Sequence, residues 1–459
     1  MTAAVGTATE RTAPRTGHAW LVLALACASQ FMVILDAAIV NVALPTIRRE
    51  LGFTATGLPW VVNGYLLTFG GFMLAGGRAA DLFGHRRMLT AGLLLFSASS
   101  LAGGLATAPE MLVAARVAQG VGAAMLAPAT LAVINTSFTE RHARARAFGA
   151  WSAAGGVGGM AGAVAGGAIT TGLSWRWVFL INVPIGAVLI VLAMTSLDVR
   201  SHDGRRGRLD LGGAVTGTAG LAALIFGVMQ SAGHGWASPL VVGPCVGGLL
   251  LLAGFIVVEG RFAREPMMPL RLFRIRRVAV GSGTLLLFGA IAIAMWYFSS
   301  LFLQNVLGYS ALGAGLGQTP AAVTFVLIAR VAAGVLPKTG VRPLVLAGCG
   351  FLVAGFGWFT QAHAASGYLA GVLGPTLLVA VGIGLTFPTL MAAATADAPE
   401  GDAGTVGGLA NTASQVGGSV GLAVLATAAR GAGDARVFLI AAGLSLAIAV
   451  LSVLLPAEN

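Results

Sequence analysis

The feature that most constrains this chain is a rhythm. Fourteen apolar runs, the first near residues 20–46 and the last near 435–455, are separated by short polar stretches. An α-helix rises 1.5 Å per residue, so about 20 apolar residues cross the hydrocarbon core of a bilayer. Inside lipid only a helix or a closed barrel satisfies its own backbone. Runs of this length specify helices, so the sequence predicts an all-α polytopic membrane protein with 14 transmembrane helices. Only 9% of the residues are charged, against about 25% in a soluble domain. The 67 glycines suit helices that approach closely in lipid.

An even number of spans puts both termini on one side. If that side is the cytoplasm, 20 Lys and Arg fall in inside segments and 5 in outside segments. Arg78 and Arg116 are left within spans or at their ends. The bias favours cytoplasmic termini in a multi-pass protein of the cytoplasmic membrane. It also accounts for the formal net charge of +11, so nucleic acid is not an expected partner. Arg48 and Arg49 are exceptions to the bias, partly offset by Glu50. Residues 1–19 are polar and lack the apolar core of a cleavable signal, so the first span is expected to serve as the membrane signal.

Two loops are longer and more charged than the rest, 198–208 and 259–277. They bracket runs seven and eight. The expected layout is two six-helix bundles plus two inserted helices: residues 1–197, a linker of 198–277 with the inserted spans, and 278–459. The alternation of apolar and basic residues over 259–277 suggests an amphipathic helix on the inner leaflet. The six-span blocks look like a repeat. GGRAADLFGHRR (76–87) and AAGVLPKTGVRP (332–343) occupy equivalent places, with Gly84 and Arg86 aligned to Gly340 and Arg342.

Within the first run one carboxylate stands alone, Asp36. An acid at that depth costs on the order of 2.5–3.5 kcal/mol on insertion scales. It is either an acid in a structural pair or a group that binds a proton or a cation. Arg116 lies about two turns into the fourth run. It either pairs with a carbonyl or the membrane surface, or responds to the charge on such an acid. Asn411 and Gln415 share a helical face at i, i+4 and either join helices or line a pocket. Met32, Trp60, Tyr65, Met125, Trp296, Tyr297 and Phe387 are each core, lipid-facing or pocket-lining. Cys27, Cys245 and Cys349 fall in separate runs with no metal-ligand spacing. The six histidines lie in loops or near run ends, which leaves no clustered catalytic or metal site. No phosphate-binding G-x-x-x-x-G-K-(S/T) stretch is present, so no ATP or other cofactor is implied.

The segment GRAADLFGHRR (77–87) resembles the signature loop of the major facilitator superfamily, G-x-x-x-D-x-x-G-(R/K)-(R/K). Gly77, Asp81, Gly84, Arg86 and Arg87 carry the match; Leu82 stands where a basic residue often follows the Asp, and His85 takes a usually basic place. LDAAIVNVALPTI (35–47), WVVNGYLLT (60–68), RVAQGVGAA (116–124) and WRWVFLINVPIG (175–186) resemble segments of the fourteen-span drug–proton antiporters, often called DHA2. GMAGAVAGG (159–167) resembles the antiporter motif of the fifth span. Gly158, Gly162, Gly166 and Gly167 match, and Ala163 replaces the motif's proline. From their residue type these glycines form a smooth packing face.

The resemblance covers essentially the whole chain. It implies proton-coupled efflux of drugs, antibiotics or lipophilic metabolites by alternating access, with Asp36 exchanging the proton and residues 77–87 acting as a conformational latch. Expected partners are a small lipophilic or cationic solute, protons and membrane lipids, with the chain acting as a monomer. Two alternatives remain. One is an exporter or uniporter of a specific metabolite without tight proton coupling, for which Ala163 leaves room. The other is a non-transporting sensor or membrane enzyme, which lacks a soluble domain or a catalytic cluster in this sequence.

Overall fold

A computed structural model describes residues 16–54, 56–138, 140–197, 210–262, 266, 268, 270–396, 403–429 and 434–453. Among them fourteen helical rods follow one another and no strand occurs. The first six are α1 (Thr16–Leu51), α2 (Trp60–Phe83), α3 (His85–Gly104), α4 (Pro109–Ser137), α5 (Arg141–Gly172) and α6 (Arg176–Ser196). A hairpin follows, α7 (Leu211–His234) and α8 (Pro239–Phe262). The last six are α9 (Arg276–Val306), α10 (Ala311–Thr339), α11 (Val341–Phe359), α12 (Leu369–Thr395), α13 (Ala403–Ala428) and α14 (Asp434–Val453). Ten of the fourteen are long and apolar enough on their own to cross a membrane. The other four, α2, α3, α7 and α13, are comparably long and pack between them.

Each apolar run of the sequence has become one rod. Short turns between rods force antiparallel neighbours. Ser238, Ser310 and Asp210 accept backbone N–H groups at the starts of α8, α10 and α7, supplying partners to otherwise orphaned donors. Gly84 (φ 91°) and Gly340 (φ 75°) make the equivalent turns α2–α3 and α10–α11. That half of φ space is open to glycine at little cost.

The two six-helix bundles repeat the same pairings. In the first, α1 lies on α5, α2 and α3 on α4, and α3 on α6. In the second, α9 lies on α13, α10 and α11 on α12, and α11 on α14. The repeat extends to a side chain. Arg86 donates to the Met194 carbonyl at 2.7 Å, and Arg342 donates to the Val453 carbonyl at 2.9 Å. In each bundle the arginine thus caps the last turn of the sixth helix, whose carbonyls carry partial negative charge.

The bundles meet along two seams, α5 against α10 and α2 against α13. Gly167 lies so close to α10 that an added Cβ would sit 2.5 Å from Leu312 Cα. One turn away, Gly315 of α10 presses on the Ala163 carbonyl. The inserted hairpin is not peripheral to the second seam. Its α7 packs on both α2 and α13, with Leu67, Ile225, Met229 and Ala423 forming one buried cluster.

One expectation fails. Among the described residues of 259–277 no amphipathic helix runs through the segment. A wide turn continues α8 to Phe262, and Leu270–Arg274 is a single tight turn. Leu272 is buried with Val278, Val406 and Leu409, between α9 and α13. Pro266 stands in non-helical backbone between these turns and cannot continue a helix, and protein side chains bury Leu272. The loop 198–208, residues 1–15, and the acids Asp397, Glu400 and Asp402 lie outside the described residues.

Candidate functional site

The site is built around Asp36, past the middle of α1 and fully buried. Arg116 of α4, also buried, donates from Nη1 to Asp36 Oδ2 at 2.5 Å. The other carboxylate oxygen accepts from Gln119 Nε2 at 2.9 Å and from Asn182 Nδ2 at 2.8 Å. Ser100 of α3 accepts from both amides, at 3.2 and 3.0 Å, and donates to the Phe179 carbonyl at 2.8 Å. Four helices, α1, α3, α4 and α6, therefore share one polar knot.

Local sequence explains each position. Arg116 and Gln119 are three apart, so both project from one face of α4, and Nη1 also reaches Gln119 Oε1 at 2.7 Å. Gly120 removes the side chain that would collide with Tyr65 and Thr68 of α2. Tyr65 can then lie under the guanidinium, 4.2 Å from its ring centroid, and Arg116 Nε donates to the Val61 carbonyl at 2.9 Å. Asn182 stands at the break in α6 after Ile181, which turns its amide inward.

A charge buried alone in low dielectric costs several kcal/mol, and a well-bonded opposite charge offsets most of it. Here the two charges cancel and hydrogen bonds surround both. Removing only one would leave the other uncompensated.

Of the sequence-selected residues, the structure brings Asp36 and Arg116 into direct contact. Asn411 and Gln415 are elsewhere, on α13. Both are half-buried, and Gln415 packs by its Cβ against Gly70 of α2, so that face lies on the second seam. Gly158, Gly162 and Gly166 form a strip at i, i+4, i+8. Added Cβ atoms there would lie 2.7 Å from Phe31 O, 2.9 Å from Leu35 O and 2.7 Å from Ile39 O. The strip seats α1 on α5 directly behind Asp36, within one bundle. Gly167 points the other way, onto α10 of the second bundle.

In the loop 77–87, Arg86 caps α6, Arg87 is exposed and the Asp81 side chain lies outside the described residues. Gly77 has ordinary clearance from Pro128 at 3.5 Å. The close approach belongs to Gly76, which faces the Ala124 carbonyl of α4.

Sequence reasoning missed Asn182, Ser100 and Gly76 as site residues. Asn182 carried a signal, an amide inside an apolar run two residues before Pro184. Ser100 carried none, because a hydroxyl can bond its own helix anywhere along it. Of the aromatic and Met candidates, Tyr65 joins the knot, Phe387 stacks on Phe288 at 5.3 Å, and Tyr297 lines a cavity.

That cavity has a volume of about 810 Å³ and opens at the end of the molecule carrying Gly52. It lies between the bundles, with Arg48, Arg49 and Phe53 on one wall and Tyr297, Gln304 and Asn305 on the other. Between it and Asp36, α9 is bonded to α1. Ser300 donates to the Asn41 carbonyl at 3.3 Å and Gln304 to the Val42 carbonyl at 3.0 Å. No group of His, Cys, Asp and Glu suited to a metal occurs among the described residues.

Twelve rods in two repeated bundles around buried polar residues, with a hairpin added, define a class of membrane transporter. The family model described as the Major Facilitator Superfamily matches residues 26–422, and the chain belongs to that superfamily. It is 44% identical to the cephamycin export protein CmcT of Amycolatopsis lactamdurans, over all of this chain and 96% of that one. It is 38% identical to the puromycin resistance protein pur8 of Streptomyces alboniger, over 90% of this chain and 82% of that one. Among solved structures, an auto-inhibited POT family peptide transporter superposes with a TM-score of 0.72 at 15% identity, covering 96% of this chain and 97% of that one. A D-xylose–proton symporter superposes with a TM-score of 0.70 at 13% identity, covering 96% and 98%. The last two speak to the fold alone. The chain is a multi-pass membrane transporter and not an enzyme.

Proposed function

We propose that this protein exports small lipophilic antibiotics or related metabolites, driven by proton entry, with Asp36 as the proton-exchanging group. The observation that carries this is the Asp36–Arg116 pair and its place on α1. Asp36 ties α1 to α4 and α6. One to two turns further along, the Asn41 and Val42 carbonyls of the same helix hold Ser300 and Gln304 of the opposite bundle. A proton on Asp36 removes the charge that holds Arg116. Arg116 keeps its bonds to Val61, Gln119 and the Tyr65 ring, all on α2 and α4. The change therefore falls on α1, the helix that also bridges the bundles.

The charge bias places the Gly84 end in the cytoplasm and the Gly52 end outside. Residues 1–197 then rock against 278–459 about the α5–α10 and α2–α13 seams. The names of the relatives support export as the direction and antibiotics as the cargo. The Arg86 and Arg87 loop, with Asp81, serves as the cytoplasmic latch in this scheme.

Efflux of rhodamine 6G from a pump-deficient host tests the scheme. Asp36→Asn is expected to abolish energised efflux. Because that variant strands Arg116, the double variant Asp36→Asn with Arg116→Gln is measured beside it. It is expected to restore protein abundance without restoring energised efflux. Full efflux by either variant would overturn Asp36 as the coupling group.

A further inference from the structure

We propose that the cavity at the Gly52 end is a binding station for organic anions, a carboxylate or sulfonate on an aromatic or otherwise apolar body. The proposal deepens the export reading, on which it rests for placing this cavity at the exit.

Arg48 and Arg49 both line the cavity and both are exposed to it. They are two of the five basic residues in outside segments, against the charge bias of the sequence. Arg49 spends one donor on Thr46 at 3.3 Å. The adjacent acid does not cancel them, because the Glu50 carboxylate is turned away to accept Trp175 Nε1 at 2.7 Å. Among the described residues no Asp or Glu lines the cavity. A guanidinium stays charged and presents paired donors that match a carboxylate.

The facing wall supplies the rest. Gln304 and Asn305 present amides, Tyr297 and Tyr309 present phenol rings. They lie on or just beyond a stretch of α9 that is wound wider than an α-helix over Ala294–Phe298 and Phe302–Val306. Its signature is the Leu307 N–H bonding back five residues to the Phe302 carbonyl at 3.1 Å. Such wide turns cluster at functional sites because they re-aim side chains. Within this winding Gln304 lines the cavity and also donates to the Val42 carbonyl. Arginines at the end of α1 also suit the helix dipole. That role alone requires neither a facing wall of amides and phenols nor the absence of a carboxylate.

A cation finds no matching charge here, and deeper in the bundle the Asp36 charge is already cancelled by Arg116. A volume of about 810 Å³ lies within the range of small-molecule sites.

The full chain in phosphatidylcholine nanodiscs tests this with two dyes that share a tricyclic core and differ in charge, fluorescein (anionic) and rhodamine 6G (cationic). Fluorescence polarisation gives the affinity of each. The variant R48Q/R49Q removes both exposed positive charges and is expected to weaken fluorescein binding about tenfold, with rhodamine 6G unchanged. R48K/R49K, which keeps the charge, is expected to stay within about threefold of wild type. Unchanged fluorescein binding in R48Q/R49Q, equal loss of both dyes, or no protein-dependent fluorescein binding would overturn the proposal. Cells reporting rhodamine 6G efflux separate the two levels. Efflux that persists while the anion test fails leaves the export reading intact and removes only the anion station.

Discussion

The two six-helix bundles fold alike and are furnished differently. Every principal helix pairing of the first recurs in the second, down to an arginine that caps the sixth helix. Close glycines set the same register in both: Gly122 of α4 approaches Gly92 of α3, and Gly382 of α12 approaches Gly348 of α11. In that register Thr376 stands where Arg116 does, and Val379 where Gln119 does. Thr376 bonds only carbonyls of its own helix, at 2.8 and 3.1 Å. Neutral contacts stand out among the described residues of the second bundle. Gln318 donates to Ser299 at 2.9 Å, and Phe438 stacks on Phe359 at 4.4 Å. Buried pairs are often no better for stability than apolar replacements. The difference supports the proposal that the Asp36 knot serves through its charge.

The largest expected effect follows from splitting that knot. Arg116→Gln leaves Asp36 buried without a counter-charge, a loss of about 3–5 kcal/mol. Abundance in membranes and transport should both collapse, and the double variant with Asp36→Asn should recover abundance. If the single variant is as abundant as wild type, the pair is not sealed as described. The neutral counterpart should suffer less. Gln318→Leu strands the Ser299 hydroxyl and the Trp296 carbonyl and should cost about 1–3 kcal/mol, read as a lower melting temperature with residual transport. Gln318→Leu as damaging as Arg116→Gln would erase the contrast between the bundles.

The seam offers a sharper contrast inside one helix. Gly315→Ala pushes a methyl into the Ala163 carbonyl across the α5–α10 seam, whereas Gly334 on the same helix faces open space. Transport should fall several-fold in the first and stay unchanged in Gly334→Ala, with abundance measured for both. Equal activity would show that the seam yields freely. The smallest effects belong to the repeated caps. Arg86→Gln and Arg342→Gln should each lower stability by about 0.3–1 kcal/mol. Similar shifts in thermal unfolding support the repeat, and a loss at only one site would break it.

Most of the architecture was legible because lipid removes alternatives. Apolar runs of bilayer length must be helices, so fourteen runs gave fourteen rods in the expected order. Gly84 with Arg86 and Gly340 with Arg342 exposed the repeat through turn chemistry. Asp36 and Arg116 stood out because ions in such runs are rare. Their contact was not legible, since nothing local fixes which helices meet. Asn182 and Ser100 are ordinary polar residues until α6 bends and α3 turns toward α1. Gly76 was hidden beside Gly77, because one residue of helix rotation decides which glycine faces α4. The failed amphipathic helix at 259–277 shows the converse. A local pattern there gave way to Pro266 and to the surface between α9 and α13 that buries Leu272.

The most direct measurement is substrate-dependent proton movement in proteoliposomes bearing the Asp36→Asn, Arg116→Gln double variant. If the pair is the coupling element, as proposed, rhodamine 6G should still exchange across the membrane at equilibrium. An imposed pH gradient should drive no accumulation, and the dye should evoke no proton flux. Proton flux equal to wild type from this variant would contradict the central claim outright.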